Sequence, residues 1–430
     1  MFLYSKLKDY NKEIKVSIVG CGKFASMFVA QLNFIKGITL DSVVDIDIKK
    51  AKNIIKKTGL KKNKYENIYF YNDIDNILER NIDVVIEATG DPISGVLNSI
   101  KIINNKINIV MVNVEADVIG GKYLSDLAIK NNVLYSMSYG DQPALIVEMV
   151  EWAKLNGFKL ICAGKGTLYH SSFEYSTPDD VWKHYGVSAD EAKSANLNSK
   201  MFNSFLTGDK SSIEMAAVSN AINLKLPKDG LTYPALSIDQ LPSKLISKQQ
   251  GGLLDHNEQV EVVSCIDKKK NKIKNNLRWG VFIVIKGQSR YIKDCFKQYG
   301  IITDKSGAFS ALWRPFHYVG LELAQSIFSI VLDRKPTGTT LHYNAEVVAV
   351  AKKSLNPGEI LDGEGGYRCR GKLISSKNVK KYNYLPLGLS NGAVLTKKVL
   401  KDSIIKLSDI ELKLPIQLKK VRNYQFKLLS

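Results

Sequence analysis

Val16-Ser17-Ile18-Val19-Gly20-Cys21-Gly22-Lys23-Phe24-Ala25 is the stretch whose reading decides the fold. A short apolar run enters a pair of glycines and leaves, over residues 23–35, with helical patterning. Gly20 suits a tight turn, Gly22 lets the backbone approach a pyrophosphate, and Ala25 keeps the helix close to the strand. The first N–H groups and the positive dipole end of such a helix face the phosphates. Gly20, Cys21, Gly22, Lys23 and Phe24 are therefore the first candidate cofactor contacts.

Three downstream segments support this reading. Residues 40–44 read as a second strand that ends at Asp45. An acid roughly twenty residues past the glycines is placed to bind the ribose hydroxyls of NAD, and it would repel the 2′-phosphate of NADP. Lys49 and Lys50 follow closely and offset that repulsion. Asp45 can equally cap a helix that begins near Lys49. Residues 83–88 are a near-continuous apolar run, as expected for a parallel strand covered on both faces, and residues 108–112 and 134–137 repeat the pattern. Ala88, Thr89 and Gly90, then Asn113 and Glu115, lie at the carboxyl ends of these strands, where a doubly wound sheet holds its ligand. A short helix is expected over residues 72–80. Asp141 sits in another polar loop, before a helix over 144–155 with Pro143 in its first turn. The expectation is α/β: a Rossmann doubly wound domain over residues 13–143, with NADP or NAD as cofactor.

Composition narrows the rest. At 430 residues there is room for two or three domains, and an apolar share of 45% is ordinary for a globular protein. Residues 1–15 have no apolar core of signal-peptide type, and no segment approaches the ~20 apolar residues of a membrane span. A cytoplasmic protein without a membrane partner is expected. The net charge of +19 comes mainly from Lys spread along the chain. A nucleic-acid partner is not expected, because such proteins gather charge on one face, with Arg for bidentate contacts. The charge suits a small anionic substrate. The five Cys and five His show no metal-type spacing.

Residues 144–335 read as an α+β substrate and oligomerisation domain. Residues 159–163 form a strand, and Gly164-Lys165-Gly166-Thr167 stand at its end, a good position for a lysine to meet substrate. Thr177-Pro178-Asp179-Asp180 reads as a helix start, and Ser188 with Glu191 as a capping box. Residues 198–205 precede a helix that carries Lys210 and Glu214, four apart on one face. These two form a surface ion pair, or else Glu214 joins Lys200 and Asn203 in the substrate pocket. Residues 249–252 read as a mobile lid, and residues 260–265 and 279–285 as strands. A helix over 314–332 packs back on the first domain, with His317 a packed or capping residue. From residue 336 short strands and Gly-Pro turns give a small β-rich third domain.

The order of motifs carries a resemblance. After the glycine turn come Glu87-Ala88-Thr89-Gly90, Asn113-Val114-Glu115-Ala116-Asp117, Tyr139-Gly140-Asp141-Gln142-Pro143 and Ala163-Gly164-Lys165-Gly166-Thr167. Tyr175-Ser176-Thr177-Pro178-Asp179, Met201-Phe202-Asn203-Ser204-Phe205, Arg278-Trp279-Gly280-Val281 and Arg314-Pro315-Phe316-His317 follow. This order resembles the homoserine-dehydrogenase-like oxidoreductases with a C-terminal SAF domain. Among them it resembles the type II, 1-deoxy-D-xylulose 5-phosphate reductoisomerase-like enzymes. The resemblance implies a β-clip-like SAF domain over residues 336–430, a homo-oligomer, and an NAD(P)-dependent oxidoreductase acting on a small phosphorylated hydroxy or keto compound. Dehydrogenation of another polyol, sugar or amino-acid derivative is a second reading, and a nucleotide-sensing protein without turnover a third. Homoserine dehydrogenases carry a catalytic lysine about where Glu115 stands here, which leaves the electrophilic role to Lys165. Lys200 and Asn203 would bind phosphate or oxyanion. Asp141 and Glu214 would move protons or hold a divalent cation, Mg or Mn.

Overall fold

Six short apolar strands line up in parallel because each is followed by a helix that crosses back over one face. In the computed structural model, which describes residues 2–195 and 197–429, these are β1 (Ile14–Val19), β2 (Ile38–Val44), β3 (Tyr69–Tyr71), β4 (Val84–Glu87), β5 (Asn108–Met111) and β6 (Tyr135–Met137). Their spatial order is β3-β2-β1-β4-β5-β6 with every pairing parallel. This is the doubly wound Rossmann order, and its chain reversal lies between β1 and β4. All four residues of β4 are buried, as a central strand sandwiched between helices requires.

Helices Lys23–Gln31 and Ile48–Lys57 cover one face. The first is shorter than the expected 23–35. Asp47, not Asp45, caps the second by accepting from Lys50 N at 2.9 Å. Helices Pro92–Asn104 and Val114–Lys130 cover the other face. Residues 72–80 hold only one helical turn, Asp75–Leu78.

Helix Gln142–Leu155 leads into a second, four-stranded sheet, β7 (Lys159–Thr167), β8 (Gln259–Ser264), β9 (Val281–Lys286) and β10 (Phe309–Arg314), in the order β10-β9-β7-β8. Here the structure corrects several expectations. β7 runs through Gly164, Lys165 and Gly166 to Thr167, so Lys165 lies within a strand and not beyond its end. The two glycines are required by crowding: a Cβ at Gly164 would lie 1.7 Å from the Glu261 carbonyl oxygen, and one at Gly166 1.8 Å from that of Leu277. Residues 198–205 do not precede a helix but form one, Ser199–Thr207, capped by Asn198. It is followed, after Gly208 at φ +81°, by helix Asp209–Ile222. The Thr177–Asp180 stretch is a turn, and its short helix begins at Val181. The Ser188–Glu191 capping box forms as expected. Residues 249–252 are not open chain but a tight turn, with Gln250 N and Gly252 N bonded to the Ser247 carbonyl at 2.8 and 3.1 Å.

No helix spans 314–332: β10 ends at Arg314, and residues 315–323 are loop and turn, with Gly320 at φ +78°. Only Ala324–Phe328, prolonged by a π-turn Ser329–Asp333, is helical. It does pack back on the first domain: Leu323, Ile327 and Ile330 join the core that contains Phe28, Val29 and Ile55.

Residues beyond 336 form the antiparallel pair β11 (Ala345–Ala351) and β12 (Cys369–Ser375), shorter bridges, and helices Ser376–Tyr382 and Ile416–Lys427. This segment is not a detachable module. Val347, Leu373 and Leu387 share one continuous core with Ile119 of the Rossmann domain and Met215 of the second. The buried Arg422 guanidinium pairs with Glu346, and Tyr424 Oη donates to Asp126 at 2.6 Å. No helix among the described residues is long and apolar enough to cross a membrane.

Candidate active site

The glycine turn has the geometry its sequence implies. Gly20 adopts φ +92°, and a Cβ there would lie 2.5 Å from Thr89 Cα and 2.6 Å from the Ala88 carbonyl carbon. Only glycine lets β1 and β4 approach so closely. A Cβ at Gly22 meets nothing within 4 Å, so open space lies over the start of helix Lys23–Gln31. Lys23 is exposed, and Phe24 is partly buried against the core beneath. Asp45 Oδ2 accepts from Cys21 N at 2.7 Å and Oδ1 from Asp47 N at 2.9 Å. The carboxylate retains lone pairs for further donors. Burial, with Asp45 beside it, pushes the Cys21 thiol up to about 12, so this cysteine stays a neutral packing group.

At the end of β4, Glu87 is fully buried and accepts from Thr89 Oγ1 at 2.6 Å. Burial raises its pKa to about 7 against the pull of the Thr89 hydrogen bonds. Asn113 does not present its amide to a ligand. It is 2% exposed, caps helix Val114–Lys130 through Ala116 N at 3.0 Å, and donates to Asp91 O at 2.9 Å. It ties two strand-end loops together. Glu115, one turn further, is ion-paired with Lys210.

The second domain meets the Rossmann strand ends at a buried polar cluster. Lys165 and Glu214, 3% and 1% exposed, form an ion pair between β7 and helix Asp209–Ile222. Lys210 and Glu214 therefore do not pair with each other on a surface: one reaches Glu115, the other Lys165. Gln142 joins the cluster from the first turn after β6. Its amide is assigned by its partners. The NH2 group faces Asp141 Oδ1 at 2.5 Å and Glu214 Oε1 at 3.3 Å, and the oxygen faces Lys165 Nζ at 3.3 Å and His317 Nε2 at 3.0 Å. His317 is thus not a remote packing residue. Its Nδ1 donates to the Trp279 carbonyl at 2.6 Å, and burial lowers its pKa against that hydrogen bond. Asp141 caps its helix through Gln142 N at 2.9 Å; burial and the nearby Glu214 raise it to about 6.

Lys200 and Asn203 stand elsewhere. Lys200 Nζ donates to the Asp362 carbonyl. Asn203 is fully buried, accepts from Ser176 Oγ at 2.6 Å, and donates to Ser176 O at 3.0 Å and Gly365 O at 2.9 Å. Both fasten the C-terminal segment; both amide hydrogens of Asn203 are taken, leaving it no donor for an oxyanion. No group of three or more His, Cys, Asp or Glu among the described residues is arranged to hold a metal ion, so Asp141 and Glu214 are not assigned to a divalent cation. Sequence reasoning passed over Gln142, although it lies inside the Tyr139–Pro143 motif. It set His317 aside because nothing in the chain marks which strand end it will face.

Residues 140–323 match the family described as oxidoreductase DRL, catalytic domain. None of the curated proteins matches the chain. Among solved structures, homoserine dehydrogenase of S. aureus is similar over 79% of this chain and 84% of its own, at 14% identity and a TM-score of 0.40. The putative oxidoreductase yvaA of Bacillus subtilis is similar over 77% and 92%, at 12% identity and 0.41. The scyllo-inositol dehydrogenase of Lactobacillus casei is similar over 77% and 92%, at 12% identity and 0.36. The sheet order identifies the fold without them. A Rossmann domain followed by a segment similar to an oxidoreductase catalytic domain defines the class: the chain is an oxidoreductase enzyme.

Proposed function

We propose that this enzyme transfers hydride between NAD(P) and a small hydroxy or keto compound held against Lys165. One observation carries the reading: the buried Lys165–Glu214 pair, oriented through Gln142 and neighboured by His317, sits where the carboxyl end of β6 meets the second sheet.

The residues present suit a dinucleotide. Space over Gly22, the free first turn of helix Lys23–Gln31 and the remaining lone pairs of Asp45 would hold pyrophosphate and adenosine ribose. The nicotinamide, when bound, supplies or accepts the hydride. The other tasks fall to the protein. During reduction a carbonyl oxygen becomes an alkoxide, and the Lys165 ammonium stabilises that charge and gives it a proton. Glu214 fixes the position of the ammonium, and Gln142 holds the pair in register with His317. Solvent returns that proton to Lys165, and His317, whose ring nitrogens face the Gln142 and Trp279 oxygens, orients Gln142. Asp45 favours NAD over NADP by repelling a 2′-phosphate.

A 1-deoxy-D-xylulose 5-phosphate-type reductoisomerase is the finer reading, in which carbon migrates before hydride arrives. A simple dehydrogenation of a polyol, sugar or amino-acid derivative is favoured by the engagement of Asn203, whose amide hydrogens are both taken and cannot bind a phosphate. The test is nicotinamide turnover by the purified protein, with NADH and NADPH separately, against a panel of that phosphate and unphosphorylated hydroxy acids, polyols and sugars. Turnover of the phosphate alone would select the reductoisomerase. Turnover of an unphosphorylated substrate alone would select the dehydrogenase. No turnover on the whole panel, with cofactor bound, would overturn the hydride-transfer reading.

A further inference from the structure

A cleft of about 450 Å³ opens where residues 223–230 of the second domain face β12 and the start of helix Ser376–Tyr382. It lies at the far end of helix Asp209–Ile222 from Glu214: at roughly 1.5 Å per residue, Asn223 stands about 14 Å further along the axis. Lys165, Glu214, Gln142 and His317 take no part in its lining. The walls are fixed. Lys225 N donates to Glu258 O at 2.7 Å and Val260 N to Lys225 O at 3.0 Å, which ties one rim to β8. Lys228 N donates to Asp255 Oδ2 at 3.0 Å. Gly230, at φ +93°, lies under the Lys372 stem: a Cβ there would meet Lys372 Cε at 3.4 Å. Asn344 Nδ2 donates to Asn223 Oδ1 at 2.7 Å, which leaves the Asn223 NH2 group as a donor at the cleft.

The charge of this cleft is unbalanced. Lys225, Lys228 and Lys372 line it against one carboxylate, Asp229. Among the described residues none of the three ammonium groups has an ion-pair partner. The neighbouring acids are taken by other lysines: Asp255 pairs with Lys248 at 2.6 Å and Glu258 with Lys154 at 3.7 Å. We infer that the cleft binds a small phosphate monoester, with the three lysines supplying the counter-charge and the Asn223 NH2 group and the Leu226 and Leu373 side chains meeting its body. Lysine is a point charge that suits a tetrahedral dianion, whereas a planar carboxylate is best met by the fork of arginine, and no arginine among the described residues lines the cleft. The volume falls in the range of small-molecule sites, about 300–1,000 Å³, and leaves room for a body beyond the phosphate. The inference does not rest on the hydride-transfer reading.

The experiment is calorimetric titration of the full-length protein with glucose 6-phosphate and glycerol 3-phosphate, each set beside inorganic phosphate and citrate. At least one ester should bind once per chain, about tenfold or more tighter than inorganic phosphate or citrate. Lys225→Gln and Lys228→Gln change exposed side chains, and their melting without ligand checks that each is folded. Each should weaken the ester about tenfold, the loss expected when a hydrogen bond to a charged group goes. The double variant Lys165→Met/Glu214→Gln should bind the ester as the wild type does. Affinity lost in that double variant but kept in Lys225→Gln and Lys228→Gln would put the ester at the Lys165 site and overturn the proposal. Unchanged affinity in both lysine variants would also overturn it, as would citrate or inorganic phosphate bound as tightly as the better ester. Absence of binding by both esters up to about 10 mM would overturn it too.

Discussion

Replacing Lys165 by methionine removes the cation from a pair in which the lysine is 3% and the glutamate 1% exposed. Glu214 keeps only the weak contact of the Gln142 amide, 3.3 Å away. Breaking a buried pair by removing one partner costs about 3–5 kcal/mol, because the remaining charge is stranded away from water. The same change removes the group that receives developing negative charge, and loss of one such preorganised donor lowers kcat by about 10²–10³. The two effects are separable. The double variant Lys165→Met/Glu214→Gln has no stranded charge and should recover most of the stability in a urea titration, while its kcat stays as low as that of the single variant. Affinity for NADH, read by fluorescence, should stay within about twofold in both. A single variant as stable and as active as the wild type would refute the reasoning. A double variant that regains turnover would show that Lys165 matters only for packing.

Asp45→Asn keeps an oxygen for the Cys21 N–H and removes the charge, so the NADPH-to-NADH preference, measured as the ratio of kcat/KM, should rise about tenfold. Glu87 and Glu261 are both buried and raised to about 7, chiefly by burial, so the stability they contribute is full below their ordinary value near 4.5 and fades as pH rises through 7. Glu87→Gln should flatten the urea-stability curve over that range by on the order of 1–3 kcal/mol. Gly166→Ala would drive a Cβ to 1.8 Å from the Leu277 carbonyl oxygen and should cost more than about 4 kcal/mol, seen as loss of folded protein in the same titration. Arg422→Met strands the fully buried Glu346 and should cost about 3–5 kcal/mol by urea titration, with unfolding that remains one transition across the Rossmann and C-terminal segments.

The parallel sheet was legible because its signals are local. Glycine spacing, apolar runs and the polar residues that end them are contained within a few neighbours and gave five of the six strands, whereas the three-residue edge strand β3 was missed and the order is set by long-range pairing. Lys165 was legible as a lysine between glycines, although the reason for the glycines is the close passage of Glu261 and Leu277, not a turn. The helix expected over 314–332 begins only at Ala324, because residues 315–323 run as loop and turn through Pro315 and Gly320, the latter at φ +78°. Partners far apart in the chain were not legible. Lys210 and Glu214 have ideal spacing for each other, yet burial lets each find a better partner, 95 and 49 residues away. Asn203 and Lys200 were read, in a polar stretch preceding a helix, as binding phosphate or oxyanion. Their partners, Gly365 and Asp362, lie 162 residues on.

The most direct test of the central claim is single-turnover hydride transfer, followed by loss of nicotinamide absorbance, with wild type and Lys165→Met at saturating NADH and a substrate found in the panel. The account predicts turnover by the wild type and a fall of about 10²–10³ in the variant, with NADH still bound. Equal rates in the two proteins would contradict it.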